Sequence, residues 1–444
     1  MIGSKLKLKL IKKLSMNDIL QDSKLSAFVE KLSKTLLPLD HKITHKAQEV
    51  IESKDFPTTR NEAWKYTRLG KITGIKLENK IDRVGNLSRE KINSLFQVSK
   101  NGLTFVYENG LFRSDLSSGE FPKGATIKPL TGCSKEELKD LGANIKLENE
   151  VFNAINTLFA VDGMFISVDK NVVINEPIQF IHLLSGSNTI SNTRNYIQLA
   201  PFSKAEIIQS YYSLEAEKAF TNIINEINIA ENAMLTINKL QCETENSFHI
   251  STDQVAQEKD SNFSINTITL NGTLVRNNLN IEVNGTNCET HLNGIYLLKE
   301  NQHVDNHTIV DHKAAHCESH ELYKGVIDDK ATAVFNGKVF VRKDSQKINA
   351  FQSNANVLLS DDATVNSKPE LEIYADDVKC SHGSTTGQLN EEAVFYLRAR
   401  GISEKSARHL MVSGFIEDVI SKIENEDVKN FTHSIIKERF GWEF

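Results

Sequence analysis

A chain of 444 residues with 39% hydrophobic and 25% charged side chains can bury a large core, and its length suggests two or three domains. A net charge of −6 gives no basic face for nucleic acid, and no apolar run reaches the roughly 18 residues a membrane-spanning helix needs. The five cysteines, at 133, 242, 288, 317 and 380, include no C-x-x-C pair. That argues against a closed zinc site, a self-contained cluster built on such a motif, or a disulfide framework, and it implies a reducing, cytoplasmic setting.

The first fifteen residues, MIGSKLKLKLIKKLS, carry five lysines and no acid. They lack the 7–15-residue apolar core of a secretory signal and the arginine of a transit peptide. They read as an extended start or a basic tail, with a membrane-surface or targeting role as the alternative. From about 20 to 100 the apolar spacing is helical: Leu25, Phe28, Val29, Leu32 and Leu36 share one face, and Ile43, Ala47, Val50 and Ile51 another, with Pro38 and Pro57 as punctuation.

From about 101 to 378 the period shortens. Two short runs flank the turn pair Asn109-Gly110, and Asn-Gly recurs at 271, 284, 293 and 336, suggesting corners. Helical periodicity is nearly absent after Phe159. Two hundred residues of short strands could make a sandwich, a barrel or a solenoid. Asparagine-rich corners without a return to helix favour stacked rungs, although no strict repeat period is legible. From about 388 helices resume, with Asn390 as an N-cap, Gly401 as a stop, and apolar faces through Val394, Leu397, Ala407, Leu410, Met411, Val419 and Ile423.

The strand-to-helix junction at 370–401 concentrates chemistry. It places Asp376 and Asp377 beside Cys380 and His382, ahead of small residues from Gly383 to Gly387. In an extended segment Cys380 and His382 point to the same side, so both could reach one metal or cluster. One thiol and one imidazole do not complete a four-ligand site. Adjacent aspartates face opposite sides of a strand, which favours a solvated turn over a shared-proton pair. Carbohydrate cleavage by two carboxylates is the rival use. A second cluster, HVDNHTIVDHKAAHCESHELYKG, holds His303, His307, His312, His316, His320 and Cys317. Rung corners or a subunit surface explain it without metal, and transient metal delivery is the alternative. Nothing matches a Walker A loop, a nucleophile elbow or an H-E-x-x-H motif.

Three stretches carry a resemblance. PTTRNEAWKYT (57–67) holds Arg60, Glu62, Trp64, Lys65 and Tyr66. The histidine-rich run ends in Cys317 and LYKG, with Ala315 in place of a usual proline. The third is the KCSHG wording around Cys380. Together they resemble the SufB/SufD family of iron–sulfur cluster assembly proteins, and the SufD branch more than SufB. The resemblance implies a mainly β protein: a right-handed parallel β-helix over 101–387, flanked by helical domains at 1–100 and 388–444. It also implies a non-catalytic scaffold that pairs with a SufB-like protein, with a homodimer as the alternative. The C-terminal helices would dock a SufC-like ATPase. A transient iron–sulfur cluster would form at the subunit interface, with Cys380 and His382 as ligands; His316 and Cys317 remain the candidates for transient metal delivery in the histidine-rich run. A flavin in the complex is implied too, though no flavin motif is present. The competing readings are a carbohydrate-active β-helix enzyme using Asp376 and Asp377, and a solenoid adaptor without metal chemistry.

Overall fold

The computed structural model describes residues 23–442 except 33, 34, 36, 38, 78–86 and 149. The basic stretch 1–15, Leu36 and Pro38 lie outside the described residues.

Eight parallel strands from Ile178–Ser187 to Val378–Gln388 stack in one sheet, and a second sheet runs from Met164–Val168 to Thr364–Ile373. Each sheet takes alternate strands in chain order, so the backbone winds as a parallel β-solenoid of about eight turns. Two short antiparallel strands, Leu111–Phe112 and Ala125–Pro129, close its first end. The mainly β expectation with flanking helices therefore holds. The turn length drifts: Phe248 pairs with Leu274, whereas the later pairing of Thr332 with Thr364 spans a longer stretch of chain. That drift is why no fixed period is visible in the sequence.

The corners have a different signature from the one expected. One residue per turn adopts the left-handed conformation along a single corner column: Phe202, Asn232, Asp260, Asn287, His316 and Lys347, with φ between 58° and 64°. Asn and Asp tolerate this region because their short polar side chains bond locally, which explains half of the column. Asn109-Gly110 forms the expected tight turn, with φ of 50° and 83°. Asn271-Gly272 and Asn284-Gly285 lie at corners. Asn293-Gly294 and Asn336-Gly337 do not: both sit inside strands, Glu289–Leu298 and Thr332–Val341. Their glycines answer to interior space, since a Cβ on Gly294 would lie 2.3 Å from the Tyr323 ring and one on Gly337 2.2 Å from Gln352 Nε2.

Helices cover both outer faces. The N-terminal helices Lys24–Val29, His41–Ser53 and Val151–Phe159 pack on the second sheet through Phe220, Ile224, Phe248, Ile250 and Leu274. Helices Glu404–Ile420 and Glu426–Phe440 pack Val412, Ile416, Val419, Val428 and Ile436 on the first sheet against Leu240, Ile268, Ile295 and Val326. Burying each such aliphatic side chain contributes roughly 1.5–3 kcal/mol. Asn390 caps helix Glu391–Arg398, accepting from the amides of Glu392 and Ala393. Gly401 is left-handed at φ 89°.

The solenoid interior has two characters. One side is an apolar ladder such as Ile207, Ile237, Ile265 and Leu292. The other is a hydrogen-bonded polar seam. Asn195 donates to Asn225 (2.7 Å) and Asn225 to Asp253 (2.6 Å), and the Lys239 ammonium pairs with Asp253 in full burial. Ser251 donates to Asn277 (2.8 Å), which exchanges bonds with Gln241 and donates to Asn306 (2.9 Å).

Candidate metal and cluster site at the open end of the solenoid

The last turn is built differently from those before it. Among the described residues, strand Val378–Gln388 pairs only with Ile348–Leu358, and Thr364–Ile373 only with Thr332–Val341, so both sheets end there. Neither strand of the last turn holds a fully buried residue, whereas Ser247–Gln257 is buried throughout. Inward-facing residues of the final strand thus line an open mouth instead of a sealed core.

Cys380 and His382 share that inward face, as their spacing requires. Cys380 stacks in register on Ala350, is half-buried against the apolar core, and its thiol is pushed up by burial. A bound cation would offset that cost of forming the thiolate. His382 is exposed and in register with Gln352.

Beneath His382 the ladder becomes polar. Gln352 Nε2 donates to Glu321 (2.7 Å) and Thr308 Oγ1 donates to the other Glu321 oxygen (2.6 Å). Burial raises the Glu321 carboxyl to about 7, while the bonds from Thr308 and Gln352 lower it. Gln352 Oε1 is buried without a partner, and Gly337 supplies the space this side chain fills. Sequence reading missed Glu321, Gln352 and Gly337, because only the register between successive turns brings them under the mouth. The sign of the Glu321 shift is testable. Between pH 4.5 and 7 the folded state keeps a proton that the unfolded chain has lost, so stability falls as pH rises through that window. Glu321→Gln is expected to add about 2 kcal/mol at pH 8 and nothing near pH 4.5, read from urea midpoints at the two pH values. The flipped Gln352 amide supplies the acceptor that the new glutamine needs.

Asp377 pairs with Lys347 at the adjoining corner, its amide bonded to Gln346 Oε1 (2.9 Å). Both aspartates are exposed there, in the bend between the last two strands.

The histidine-rich run is distributed over different surfaces. His303 meets Thr67 Oγ1 at 2.9 Å and His307 meets Asp305 at 2.8 Å, under the N-terminal segment. Both rings are lowered by burial. His312 lies in the interior, 3.0 Å from Ser319 Oγ, lowered by burial to about 4. His316 is an exposed left-handed corner residue, while Cys317 next to it is fully buried, so the two face opposite ways. His320 is on the outer face, stacked between His291 (5.4 Å) and Phe351 (5.5 Å). Among the described residues, no three His, Cys, Asp or Glu side chains are grouped to hold a metal ion.

The W-K-Y segment has a structural use. Trp64 lies under the Arg276 guanidinium, 3.8 Å from ring centroid to Cζ, and Arg276 pairs with buried Asp305. Burial pushes the Asp305 carboxyl up, but Arg276 and His307 hold it below the usual range. Glu62 reaches Lys368 on strand Thr364–Ile373 at 2.8 Å. This segment therefore straps the N-terminal helices to the turns nearest the open mouth.

Two family models match this chain. Residues 182–415 match the SUF system FeS cluster assembly, SufBD core domain, and residues 26–180 match the SufBD protein N-terminal region. Relatives include an iron–sulfur cluster assembly SufBD family protein of Synechocystis, 30% identical over 85% of this chain and 86% of its own length. The iron–sulfur cluster assembly protein SufD of Escherichia coli is 29% identical over 84% of this chain and 86% of its own. A chloroplastic protein of Arabidopsis thaliana is 28% identical over 90% of this chain and 86% of its own. With both halves matched and the alignments running nearly end to end, this chain belongs to the SufBD family of iron–sulfur cluster assembly proteins.

Proposed function

We propose that the chain is a SufD-type, non-catalytic scaffold subunit that pairs with a SufB-like protein at the open mouth of its solenoid. The observation that carries this reading is the unsealed last turn, which presents a thiol and an imidazole on one face. A thiolate and an imidazole are ligand types suited to iron and iron–sulfur clusters. The cluster is cargo, and the remaining ligands come from the partner. Free sheet edges favour strand addition, because their backbone groups lack partners. All five cysteines are free thiols, which fits a reducing compartment.

The same reading assigns the C-terminal helices to a SufC-like ATPase. Phe395, Tyr396 and Leu410 are 69%, 55% and 52% exposed on helices Glu391–Arg398 and Glu404–Ile420. Three large apolar side chains exposed on two neighbouring helices suit a docking face. Removing the helices outright would strip the cover from the first sheet, so point variants are the cleaner test. The double variant Phe395→Glu with Tyr396→Glu is expected to change stability by under about 0.5 kcal/mol. It should abolish co-purification with the ATPase while leaving the SufB-like pairing intact. Loss of both partners together would refute the division of surfaces.

A further inference from the structure

Two cysteines outside the mouth meet inside the solenoid. Cys288 and Cys317 immediately precede strands Glu289–Leu298 and Glu318–Ile327, whose first residues are in register. The Glu318 amide donates to the Cys288 carbonyl at 2.9 Å. Adjacent strands lie about 4.8 Å apart, inside the roughly 4.4–6.8 Å Cα separation that a disulfide spans. Their sulfurs gather around one backbone oxygen: Cys288 Sγ is 3.2 Å and Cys317 Sγ 3.3 Å from the Gly285 carbonyl. Cys288 also reaches the Glu258 carbonyl at 3.1 Å.

The two thiols are not equivalent. The two differ in surroundings: Ser261 Oγ lies 3.6 Å from the Cys288 sulfur, and the closeness of the two thiols lowers Cys288 while raising Cys317. Cys288, with the Ser261 hydroxyl beside it, is therefore the more readily ionised of the two. Both side chains are buried, yet each follows an exposed left-handed corner residue, Asn287 or His316. The pair thus lies one residue beneath the surface.

We propose that Cys288 and Cys317 form a redox-active dithiol that a hydroperoxide converts into a disulfide joining two successive turns. The Cys288 thiolate attacks the peroxide, the O–O bond breaks, and the released oxygen takes a proton and leaves as an alcohol, or as water from hydrogen peroxide. The Cys317 sulfur then attacks the resulting Cys288 sulfenic acid. The S–O bond breaks, and hydroxide leaves with the Cys317 proton as water. Two thiols lose two electrons and one hydroperoxide gains them.

The test treats the full, folded chain with hydrogen peroxide, blocks remaining thiols, and maps disulfides by mass spectrometry. The expected product is two hydrogens lighter, carries a Cys288–Cys317 link, leaves Cys133, Cys242 and Cys380 alkylatable, and melts higher than the reduced chain. Cys317→Ser should stop at a Cys288 sulfenic acid that dimedone traps, and Cys288→Ser should leave Cys317 unoxidised. A link that forms only in denaturant, or dimedone labelling confined to other cysteines, would overturn the proposal. None of these readouts involves a cluster or a partner, so they stand apart from the scaffold reading.

Discussion

His382→Ala is expected to give a folded complex that assembles clusters at least about tenfold more slowly, by analogy with the 10–100-fold costs seen around metal sites. The ring is exposed, so its loss should shift stability by under about 0.5 kcal/mol. Iron and sulfide content after reconstitution with the SufB-like and SufC-like partners is the readout, with the melting temperature as control. Cys380→Ser should act in the same direction, because a hydroxyl is a poor ligand for iron held by sulfur. Cluster assembly at the wild-type rate in His382→Ala would make the C-x-H pair a structural feature of the mouth.

The largest expected loss of stability lies far from that mouth. Asp253→Ala removes the partner of an ammonium that is only 1% exposed, leaving Lys239 with Ser251 Oγ at 3.4 Å. Breaking a buried pair by deleting one charge typically costs about 3–5 kcal/mol. The loss also leaves the Asn225 amide with only its longer bond to Gln209 Oε1, at 3.3 Å. Chemical denaturation at pH 7 should show it. Replacing both partners, Lys239→Met with Asp253→Leu, should recover much of the loss, and a double variant as unstable as Asp253→Ala would show that the pair does not act as a unit.

Much of the architecture was legible because local periodicity survives in a solenoid. The switch from helical spacing to short strands, the helical return, the Asn390 cap and the inward pairing of Cys380 with His382 each follow from a few consecutive residues. What was hidden depends on register between turns. The residue under His382 is Gln352, a full winding earlier in the chain, and no local pattern points to it. For the same reason the histidine-rich run looked like one cluster in sequence. Successive strand residues alternate faces, and a corner intervenes, so the fold sends those side chains to the interior, the exterior and the N-terminal strap. Asn-Gly was misleading at 293 and 336 because glycine there makes room for Tyr323 and Gln352 instead of for a turn.

The half-polar interior bears on how the chain finds its own alignment. A purely aliphatic ladder is nearly indifferent to translation, since isoleucine stacks on isoleucine equally well one winding too early or too late. Because the windings differ in length, a growing solenoid has many such near-equivalent choices. The seam removes the degeneracy. The Asn225 amide finds the Asp253 carboxylate one winding on, and Asn277 finds Gln241, Ser251 and Asn306, only in one alignment. Each misaligned winding would bury unmatched amides and carboxylate oxygens, at roughly 1–3 kcal/mol for each group. The buried polar residues thus act as a proofreading key for winding, and that keeps the last strand, with its thiol and imidazole, at the correct height to meet a partner.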